Sequence, residues 1–380
     1  MPQKKVVRAI DGSRSECFNL STLQQKILFL APYPFDRVAS QRFRFEQYWN
    51  EFAAWNIDAD FQSFYSDADF EVLYQKGHFI RKIGTVLKGL FSRCSLFFRL
   101  HHYDKVFVHR EICPIGPPFF ELLFAKCWSK KIFYDFDDAI WLPNTSHENR
   151  WSASFKCHWK VRYICKWSKK VSCGNEFLAD YARRYQKEVW YIPTTLDVDG
   201  ISSTSSPNDS STNLKIGWTG THSTLKYLEK VVPVLKEIEK VLDFTFIVIA
   251  DKNPSLPLKN YVFVPWKKKS EWKDLAQLDI GIMPLDRSDW EEGKCGFKAL
   301  QYLSLGIPVI LSPTRANSRI VENKVNGCIC HSQEEWKDAL IQLANNPNQR
   351  REFSLQGKKT VETFYSKKAW QSRYQAFLQQ

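Results

Sequence analysis

Two lysines, Lys294 and Lys298, stand four residues apart in the segment "GKCGFKALQYLSLGIPVI", on either side of Gly296. At this spacing two side chains can share one face of a helix, so both ammonium groups can point at the same anion. A glycine between them allows the backbone to approach a ligand closely. The segment therefore predicts a binding site for a strongly anionic group.

A second anion-binding feature comes earlier in the chain, where an apolar run ends in Thr219-Gly220-Thr221. A glycine turn that leads into a helix presents backbone N–H groups, which are good ligands for phosphate. Lys226 follows shortly afterwards. It is either a third cation of the same site or a solvated surface charge.

Acidic and basic residues also follow two apolar runs in the first half of the chain. The segment "YDFDDAIW" places Asp137 and Asp138 where a strand should end, and His109 and Arg110 end another strand pattern. Either aspartate can orient a hydroxyl group or act as a base. Asp138 can instead cap a helix. His109 is either catalytic or structural.

These candidates lie between strand and helix patterns that alternate along the whole chain. Apolar β-branched runs alternate with segments of helical periodicity, including predicted helices at 42–55, 224–242 and 296–306. This alternation predicts an α/β protein with two Rossmann-like doubly wound domains that face each other across a cleft. The predicted units are a loosely ordered tail (1–24), an N-terminal domain (25–198), a Ser/Thr-rich linker (199–213), a C-terminal domain (214–364), and a last helix (365–380) that can pack back on the N-terminal domain.

The composition of the 380 residues is that of a globular protein, with 44% hydrophobic and 25% charged residues. No apolar segment is long enough to span a membrane, and the first residues do not resemble a secretory signal. The ten cysteines form no C-x-x-C pair. We therefore expect free thiols, a cytoplasmic location and no metal site.

The net charge of +13 arises from two segments, 76–105 and 150–170, because the rest of the chain is balanced. Both segments have apolar stripes at helical spacing; in the second, Trp151, Phe155, Trp159, Tyr163 and Trp167 recur every four residues. We expect both stripes to be mostly core. The surplus cations predict that the outer face of the N-terminal domain docks on the inner, anionic face of the cytoplasmic membrane.

The C-terminal motifs "KIGWTGTHSTLKYL" and "DIGIMPL…GKCGFKALQYLSLGIPVILSP" resemble the donor domain of family 4 (group 1) glycosyltransferases, which have the GT-B fold. The segments "VASQRFRFEQ", "YDFDDAIW" and "GNEFLADYA" resemble the acceptor domain of bacterial members. This resemblance implies transfer of a sugar from a nucleotide-sugar donor to a lipid-linked or polysaccharide acceptor. It also implies a retaining reaction that needs no metal ion or other cofactor.

The resemblance implies roles for individual residues. On the donor side, Lys294 and Lys298 hold the diphosphate and Gln301 reaches the ribose. The other donor-binding candidates are Gly220, Thr221, Lys226, Trp266, Gly296 and Phe297. Trp266 either lines the base pocket or belongs to the core. The catalytic candidates are Asp137, Asp138, His109 and Lys298, and the acceptor-binding candidates are Ser40, Arg42, Arg44 and Arg110. Asp135-Phe136-Asp137 spells a D-x-D metal motif of another glycosyltransferase fold, but the two-domain pattern argues against that function.

One motif departs from the family pattern, since many members have Glu-x7-Glu where this chain has Gly293 and Gln301. The departure suggests a second hypothesis, a degenerate protein that binds a nucleotide sugar or a partner without turnover. We expect no nucleic-acid partner, because the chain has no RRM, KH or helix-turn-helix signature. No G-x-G-x-x-G follows the first strand, which disfavours a dinucleotide enzyme.

Overall fold

The computed structural model describes residues 24–73, 77–127, 131–143, 155–201 and 213–380. The predicted tail, apart from residue 24, and residues 202–212 of the predicted linker lie outside these ranges. So does Trp151 of the second aromatic stripe.

The N-terminal half forms a parallel sheet of six strands in the order β2-β1-β3-β4-β5-β6. Its strands are β1 (Gln25–Ala31), β2 (Ile57–Ser63), β3 (Lys105–His109), β4 (Lys131–Phe136), β5 (Lys170–Cys173) and β6 (Val189–Tyr191). Side chains of β1 alternate between the two faces, with Ile27 and Phe29 in one core cluster and Leu28 and Leu30 in another. Both faces are buried, which explains why the strands are continuous apolar runs.

The C-terminal half forms a second parallel sheet of six strands, in the order β12-β11-β10-β7-β8-β9. Its strands are β7 (Leu214–Gly220), β8 (Phe244–Ala250), β9 (Tyr261–Pro265), β10 (Ile280–Met283), β11 (Val309–Leu311) and β12 (Gly327–Ile329). Two parallel sheets with helices on their faces confirm the predicted α/β fold class.

Helices connect the strands in each half. In the N-terminal half they are α1 (Ala39–Arg42), α2 (Asp67–Leu73), α3 (Phe79–Ser95), α4 (Phe119–Lys126), α5 (Lys160–Trp167) and α6 (Glu176–Arg183). In the C-terminal half they are α7 (Val232–Ile238), α8 (Glu271–Leu275), α9 (Asp289–Glu292), α10 (Phe297–Ser304), α11 (Arg315–Ile320), α12 (Gln333–Asn345), α13 (Pro347–Phe364) and α14 (Lys367–Gln379). Among the described residues, no helix is both long enough and apolar enough to cross a bilayer.

The helix predicted over 42–55 is wrong. The chain instead forms the short α1 and a 3₁₀ helix at Glu46–Glu51. Three consecutive side chains explain the break. Phe43 packs on Phe297 of the C-terminal half, Arg44 bonds Asp135, and Phe45 stacks on Phe29. A regular helix cannot direct three successive residues into these three environments.

The single helix predicted over 224–242 is also wrong, because it is two elements. A 3₁₀ helix spans His222–Lys230, and α7 begins at Val232 with Pro233 in its first turn. Proline has no N–H to donate within a helix, but it is favourable in the first turn. Pro233 therefore marks the start of a new helix rather than the middle of a long one.

The expectation that both apolar stripes belong to the core is wrong as well. In α3 the buried residues are Thr85, Gly89 and Arg93. Val86 and Leu90 pack partly against the core, whereas the other large apolar residues face outward. In the second segment Phe155 and Trp159 are exposed. The core-facing residues of α5 are Lys160, Val161, Ile164 and Cys165. Helical periodicity identified the apolar stripes, but most of their large side chains lie on the side of the helix that faces away from the sheet.

The last helix, α14, returns from the C-terminal half to the N-terminal sheet. Tyr374 stacks on Tyr48 with ring centroids 4.5 Å apart, and Lys105 donates to the carbonyl of Leu378 at 2.6 Å. The chain therefore passes between the halves twice. The two crossings are joined, because Leu196 donates to the carbonyl of Tyr365 and Lys367 donates to the carbonyl of Leu196.

Candidate active site

The carboxyl-terminal ends of both sheets border one cleft of about 310 Å³ between the two halves of the chain. The N-terminal half contributes Ala39, Ser40, Arg110, Asp137, Asp138 and Thr194; the C-terminal half contributes Gly220, Thr221, Thr224, Met283, Leu285 and the run 294–298. Ligands of open α/β sheets bind at this edge. The structure thus brings ten of the predicted site residues together in one cavity.

Lys294 and Lys298 both line the cleft, but they do not share a helical face. Gly296 adopts a left-handed conformation with φ of 68°, and α10 begins at Phe297. Lys298 lies in the first turn of α10, whereas Lys294 precedes the helix. A β-carbon at residue 296 would also lie 2.3 Å from a methyl carbon of Ile320. Gly296 therefore allows a tight turn between the two lysines, so that both line the cleft. Its lack of a side chain also allows this turn to pack against α11.

The two lysines make the C-terminal wall of the cleft electropositive. Their ammonium groups lie over aromatic rings, Lys294 at 5.7 Å from Trp290 and Lys298 at 4.7 Å from Trp218. Within the described part of the chain, neither forms a salt bridge. Burial, and secondarily the charge of Lys294, lowers the pKa of Lys298 to about 7. An anion bound here would restore the charged form of Lys298.

Gly220 and Thr221 form the turn that the sequence predicts. Strand β7 ends at Gly220, and the side chain of Thr221 caps the 3₁₀ helix in a reciprocal pair with Thr224. A β-carbon at residue 220 would lie 2.2 Å from the Trp218 ring and 2.6 Å from Thr224 Oγ1. Glycine is therefore required for the turn to close beside the lysines.

The N-terminal wall contains a cluster of one cation and two carboxylates. Arg110 donates to Asp137 Oδ1 at 2.8 Å and also bonds Asp138. Burial raises the pKa of Asp137, but Arg110 and the neighbouring His109 and Arg44 together outweigh burial, so the net pKa is lowered. Burial raises the pKa of Asp138, and the neighbouring Asp137 adds to that rise. Within residues 131–143 no helix follows Asp138, so the helix-capping interpretation is wrong.

His109 lies behind the cleft wall rather than in it. Its side chain is fully buried, and Nδ1 lies 2.8 Å from Asp135 Oδ2. Its other ring nitrogen lies 3.4 Å from the hydroxyl of Ser40, which does line the cleft. His109 therefore reaches a bound ligand only through Ser40.

Arg44 and Arg42 do not occupy the acceptor-binding positions predicted for them. Arg44 is buried, and its guanidinium bonds Asp135 and the carbonyl of Ile192. Arg42 donates across the domain interface to Glu271 at 3.1 Å. Both guanidinium groups are paired with carboxylates of the protein itself. Arg44 neutralises a carboxylate inside the N-terminal domain, and Arg42 joins the two halves.

Three predicted donor-binding residues lie outside the cleft lining. Gln301 is buried and donates to Glu271 Oε1 at 3.1 Å. Lys226 is exposed, with its ammonium 5.0 Å from the Tyr227 ring. Trp266 is half-buried and packs against the C-terminal core. Phe297, by contrast, lines the cleft and contacts Phe43.

Gly293 contacts the N-terminal half directly. A β-carbon at this position would lie 2.5 Å from Cβ of Ala139 and 2.7 Å from its backbone nitrogen. Neither neighbouring glutamate replaces the missing carboxylate. Glu291 is buried against the hydroxyls of Tyr227 and Ser288, and Glu292 accepts from the backbone N–H of Arg315. The cleft thus has backbone at the position where the Glu-x7-Glu pattern of the resembled family would place its first carboxylate.

Asn175 is a positioning residue that the sequence analysis quoted in a motif without giving it a role. Its Oδ1 accepts from Leu178 N and caps α6, while its Nδ2 donates to the carbonyls of Glu292 and Lys294. Cys295 makes a parallel contact, with its sulfur 3.0 Å from the carbonyl of Asp137. The lysine-bearing turn is therefore held by the N-terminal domain. An asparagine at a helix start is a recognisable cap, but its second bond depends on the tertiary fold.

The described residues contain no group of three or more His, Cys, Asp or Glu side chains arranged to hold a metal ion. The D-x-D pair has other partners: Asp135 bonds Arg44 and His109, and Asp137 bonds Arg110. The nine cysteines within the described ranges are all free thiols.

Comparisons with known proteins agree with this architecture. Residues 214–346 match the family model described as "Glycosyl transferases group 1". A comparison with curated proteins gives no match. Many solved structures share the fold at low identity, so they establish the fold alone.

Three solved structures illustrate this similarity. A sucrose-phosphate synthase from Thermosynechococcus elongatus has a TM-score of 0.65 at 12% identity, over 94% of this chain and 100% of that one. A glycosyltransferase from Rickettsia africae has a TM-score of 0.64 at 12% identity, over 94% and 99%. HepE from Anabaena, in complex with UDP and glucose, has a TM-score of 0.67 at 13% identity, over 93% and 99%. Together with the family match, they confirm the predicted GT-B fold, the family resemblance and the enzyme class. Residues 214–346 thus match a group 1 glycosyl transferase domain, and the chain as a whole has the GT-B fold.

Proposed function

We propose that this enzyme transfers a sugar from a nucleoside-diphosphate sugar to a lipid-linked or polysaccharide acceptor, at the inner face of the cytoplasmic membrane. One observation carries the proposal: Lys294, Lys298 and the Gly220 turn face the carboxylates Asp137 and Asp138 across a single cleft. One wall suits an anionic leaving group and the other a hydroxyl nucleophile. The Anabaena neighbour was solved with UDP-glucose, which supports the donor class.

The lysines would stabilise the leaving diphosphate. As the bond between the sugar C1 and the diphosphate oxygen breaks, negative charge develops on that oxygen. Fixed cations in a site of low water content stabilise such charge strongly. Burial, and secondarily the charge of Lys294, lowers the pKa of Lys298, and the negative charge of a bound diphosphate would oppose that shift.

The carboxylates would act on the acceptor. Its hydroxyl oxygen forms the new bond to C1, and its proton passes to Asp138; burial raises the pKa of this carboxylate, which makes it a stronger base than an exposed aspartate. Ser40, backed by His109 and Asp135, is placed to hold the same hydroxyl. We extend the proposal to retention of configuration, which the family resemblance implies. Retention requires the acceptor hydroxyl to attack C1 from the face that the diphosphate leaves, whereas attack from the opposite face would invert C1; NMR of the anomeric proton in the product distinguishes the two.

The proposal includes independence from metal ions. The aspartates that could bind a cation already neutralise Arg44 and Arg110, and a divalent ion would have to displace those guanidinium groups. The lysines supply positive charge on the opposite wall. This arrangement supports a reaction in which lysine side chains, and not a magnesium ion, stabilise the negative charge of the leaving diphosphate.

The test is calorimetric titration of the purified protein with UDP, GDP, ADP and their common sugar conjugates. This is followed by a transfer assay on membrane lipid extract with and without EDTA. We expect micromolar binding of one nucleotide class and transfer that EDTA does not abolish. Binding to none of them would overturn the donor assignment, and transfer that needs an added metal would overturn metal independence.

A second candidate function is binding of a nucleotide sugar without turnover. It is favoured by Gly293, whose backbone abuts Ala139, and by Gln301, which is engaged with Glu271. Slow hydrolysis of the bound donor by the purified protein separates the two functions. A pure binding protein would leave the donor intact.

A further inference from the structure

The outward face of α3 is apolar, which is the reverse of the usual arrangement in a globular protein. Five large side chains project into solvent: Phe79 (77% exposed), Ile80 (87%), Ile83 (60%), Leu87 (60%) and Phe91 (78%). We call these five residues the α3 face. A contiguous apolar surface of this kind marks an interaction site.

Helix α3 is attached to the sheet through small and polar residues. Gly89 allows close contact, because a β-carbon there would lie 2.5 Å from the Phe64 ring. Arg93 is fully buried and donates to the carbonyls of Ala31 and Ile112 at 3.1 and 3.0 Å. This anchoring fixes the orientation of the helix. The outward orientation of the apolar side chains therefore follows from the way Gly89 and Arg93 anchor the helix to the rest of the domain.

The exposed apolar surface continues onto the neighbouring helices. Phe98, Phe119, Phe155 and Trp159 are also exposed, and Phe97 packs on Phe124 with ring centroids 5.8 Å apart, which joins the end of α3 to α4. Successive right-handed crossovers from β2 to β5 place α3, α4 and α5 on one face of the sheet. These helices form one outer layer.

This outer layer adjoins the cleft. Each helix runs antiparallel to the strands, so its amino-terminal end lies at the carboxyl edge of the sheet. Phe79, Phe119 and Phe155 stand at or just before the starts of α3, α4 and α5. The cleft residues Arg110 and Asp138 follow strands β3 and β4 at that same edge.

The same layer is strongly basic. Residues 77–103 and 155–170 contain no aspartate or glutamate. Their basic residues on α3, α5 and the adjoining turns are Arg81, Lys82, Lys88, Arg93, Arg99, Lys156, Lys160, Arg162, Lys166, Lys169 and Lys170. Of these, Arg93, Lys160 and Lys170 are buried, while Arg81, Lys156 and Arg162 are exposed. Exposed phenylalanine, isoleucine and leucine among lysines and arginines suit a bilayer with anionic headgroups.

We propose that the α3 face inserts into the headgroup region of an anionic lipid bilayer and holds the cleft at the membrane surface. The inference deepens the proposed function, on which it rests for the choice of a lipid-linked acceptor. The apolar side chains enter the boundary of the acyl chains, and the flanking cations contact the lipid phosphates. A lipid-linked sugar would then reach Asp138 without leaving the membrane.

The test is co-sedimentation of the full chain with vesicles of phosphatidylcholine alone, or of phosphatidylcholine mixed with phosphatidylglycerol. The test variant is Ile80→Ser/Leu87→Ser/Phe91→Ser. The matched control, Val241→Ser/Leu355→Ser/Phe364→Ser, removes three exposed apolar residues from the C-terminal half, each more than half exposed. Circular dichroism verifies folding, and UDP affinity is measured for every protein.

We expect the wild type and the control to bind the mixed vesicles, with binding that weakens as salt rises. The test variant should bind them at least roughly tenfold more weakly, because three inserted side chains are lost. Its UDP affinity should be unchanged, since the α3 face lies outside the cleft.

Equal vesicle binding by the test variant, or none by the wild type, would overturn the inference. So would a wild-type dimer that the α3 substitutions convert to a monomer, because a second copy would then cover the face. Loss of UDP binding in all proteins, with vesicle binding intact, would instead overturn the donor proposal and leave the membrane surface standing.

Discussion

Asn175 donates hydrogen bonds from the N-terminal domain to the carbonyl of Lys294 at 2.9 Å and to that of Glu292 at 3.0 Å. The turn that carries a proposed diphosphate ligand is therefore positioned by the opposite domain. If Lys294 binds the diphosphate as proposed, donor binding and domain closure are coupled, because Asn175 of the other domain holds Lys294 in place.

Replacing Asn175 by aspartate should separate its two roles. Aspartate still caps α6, but it cannot donate and it places a carboxylate against two carbonyl oxygens. We expect nearly wild-type thermal stability with UDP binding weakened roughly tenfold, measured by calorimetry. Asn175→Ala should weaken binding similarly and also cost about 1 kcal/mol of stability from the lost cap. Unchanged UDP affinity in both variants would contradict the positioning role.

Replacing Lys298 by alanine should remove a cation from the cleft while the fold persists. A charge-assisted hydrogen bond contributes about 1.5–3 kcal/mol, so UDP affinity should fall roughly ten- to hundredfold. Lys226→Ala is the matched control, because that lysine is exposed and outside the cleft lining. An equal loss of UDP affinity in the two variants would show that the effect comes from the net charge of the protein and not from a direct contact with Lys298.

The affinity for UDP should fall as the pH rises from 7 to 9. Burial and Lys294 lower the pKa of free Lys298 to about 7, so the amine is increasingly neutral above that pH. Only the protonated form attracts the diphosphate, and binding raises the pKa again, with uptake of a proton. Calorimetry in buffers of different ionisation enthalpy measures that uptake. The pH dependence should disappear in Lys298→Met, and its persistence there would assign it to another group.

Substituting Gly293 by alanine should impair activity more than stability. The new β-carbon would collide with Ala139 across the domain interface, so closure is hindered while each domain still folds. We expect a lower kcat with little change in the melting temperature. Gly84→Ala is the control, since a β-carbon there meets nothing within 4 Å; that variant should keep activity and gain up to about 1 kcal/mol.

Arg44→Met should destabilise the protein by about 3–5 kcal/mol, because it leaves the buried Asp135 carboxylate without its cation. Chemical denaturation measures this loss. Arg319→Met removes an exposed pair with Glu176 and should cost no more than about 1 kcal/mol. A stable Arg44→Met variant with weak acceptor binding would restore the ligand-binding role that the sequence predicts.

Periodicity and composition allowed most of the fold to be predicted from the sequence, because buried parallel strands are continuous apolar runs. What they do not encode is which side of a helix faces the sheet. The stripe of α3 has ideal spacing for a core helix, yet Gly89 and Arg93 form its inner face. That choice depends on contacts with residues far away in the sequence.

The site was predicted less completely, for related reasons. Lys294 and Lys298 were identified from their chemistry, but the left-handed Gly296 gives them a different geometry from the helical pair expected. Arg42 and Arg44 look alike in sequence. Only the fold places Asp135 beside Arg44 and Glu271 beside Arg42. Partners supplied by distant segments could not be recognised from local patterns.

The backbone pairing of Leu196 with Tyr365 and Lys367 has a mechanical consequence. Two tied connectors restrict how the halves of the molecule can move. The paired connectors favour a hinge rotation of the two halves about an axis through the pair, and they oppose a twisting rotation of one half against the other. Opening about this axis would separate Asn175 from the lysine turn, and closure about the same axis would bring the two together in the same register.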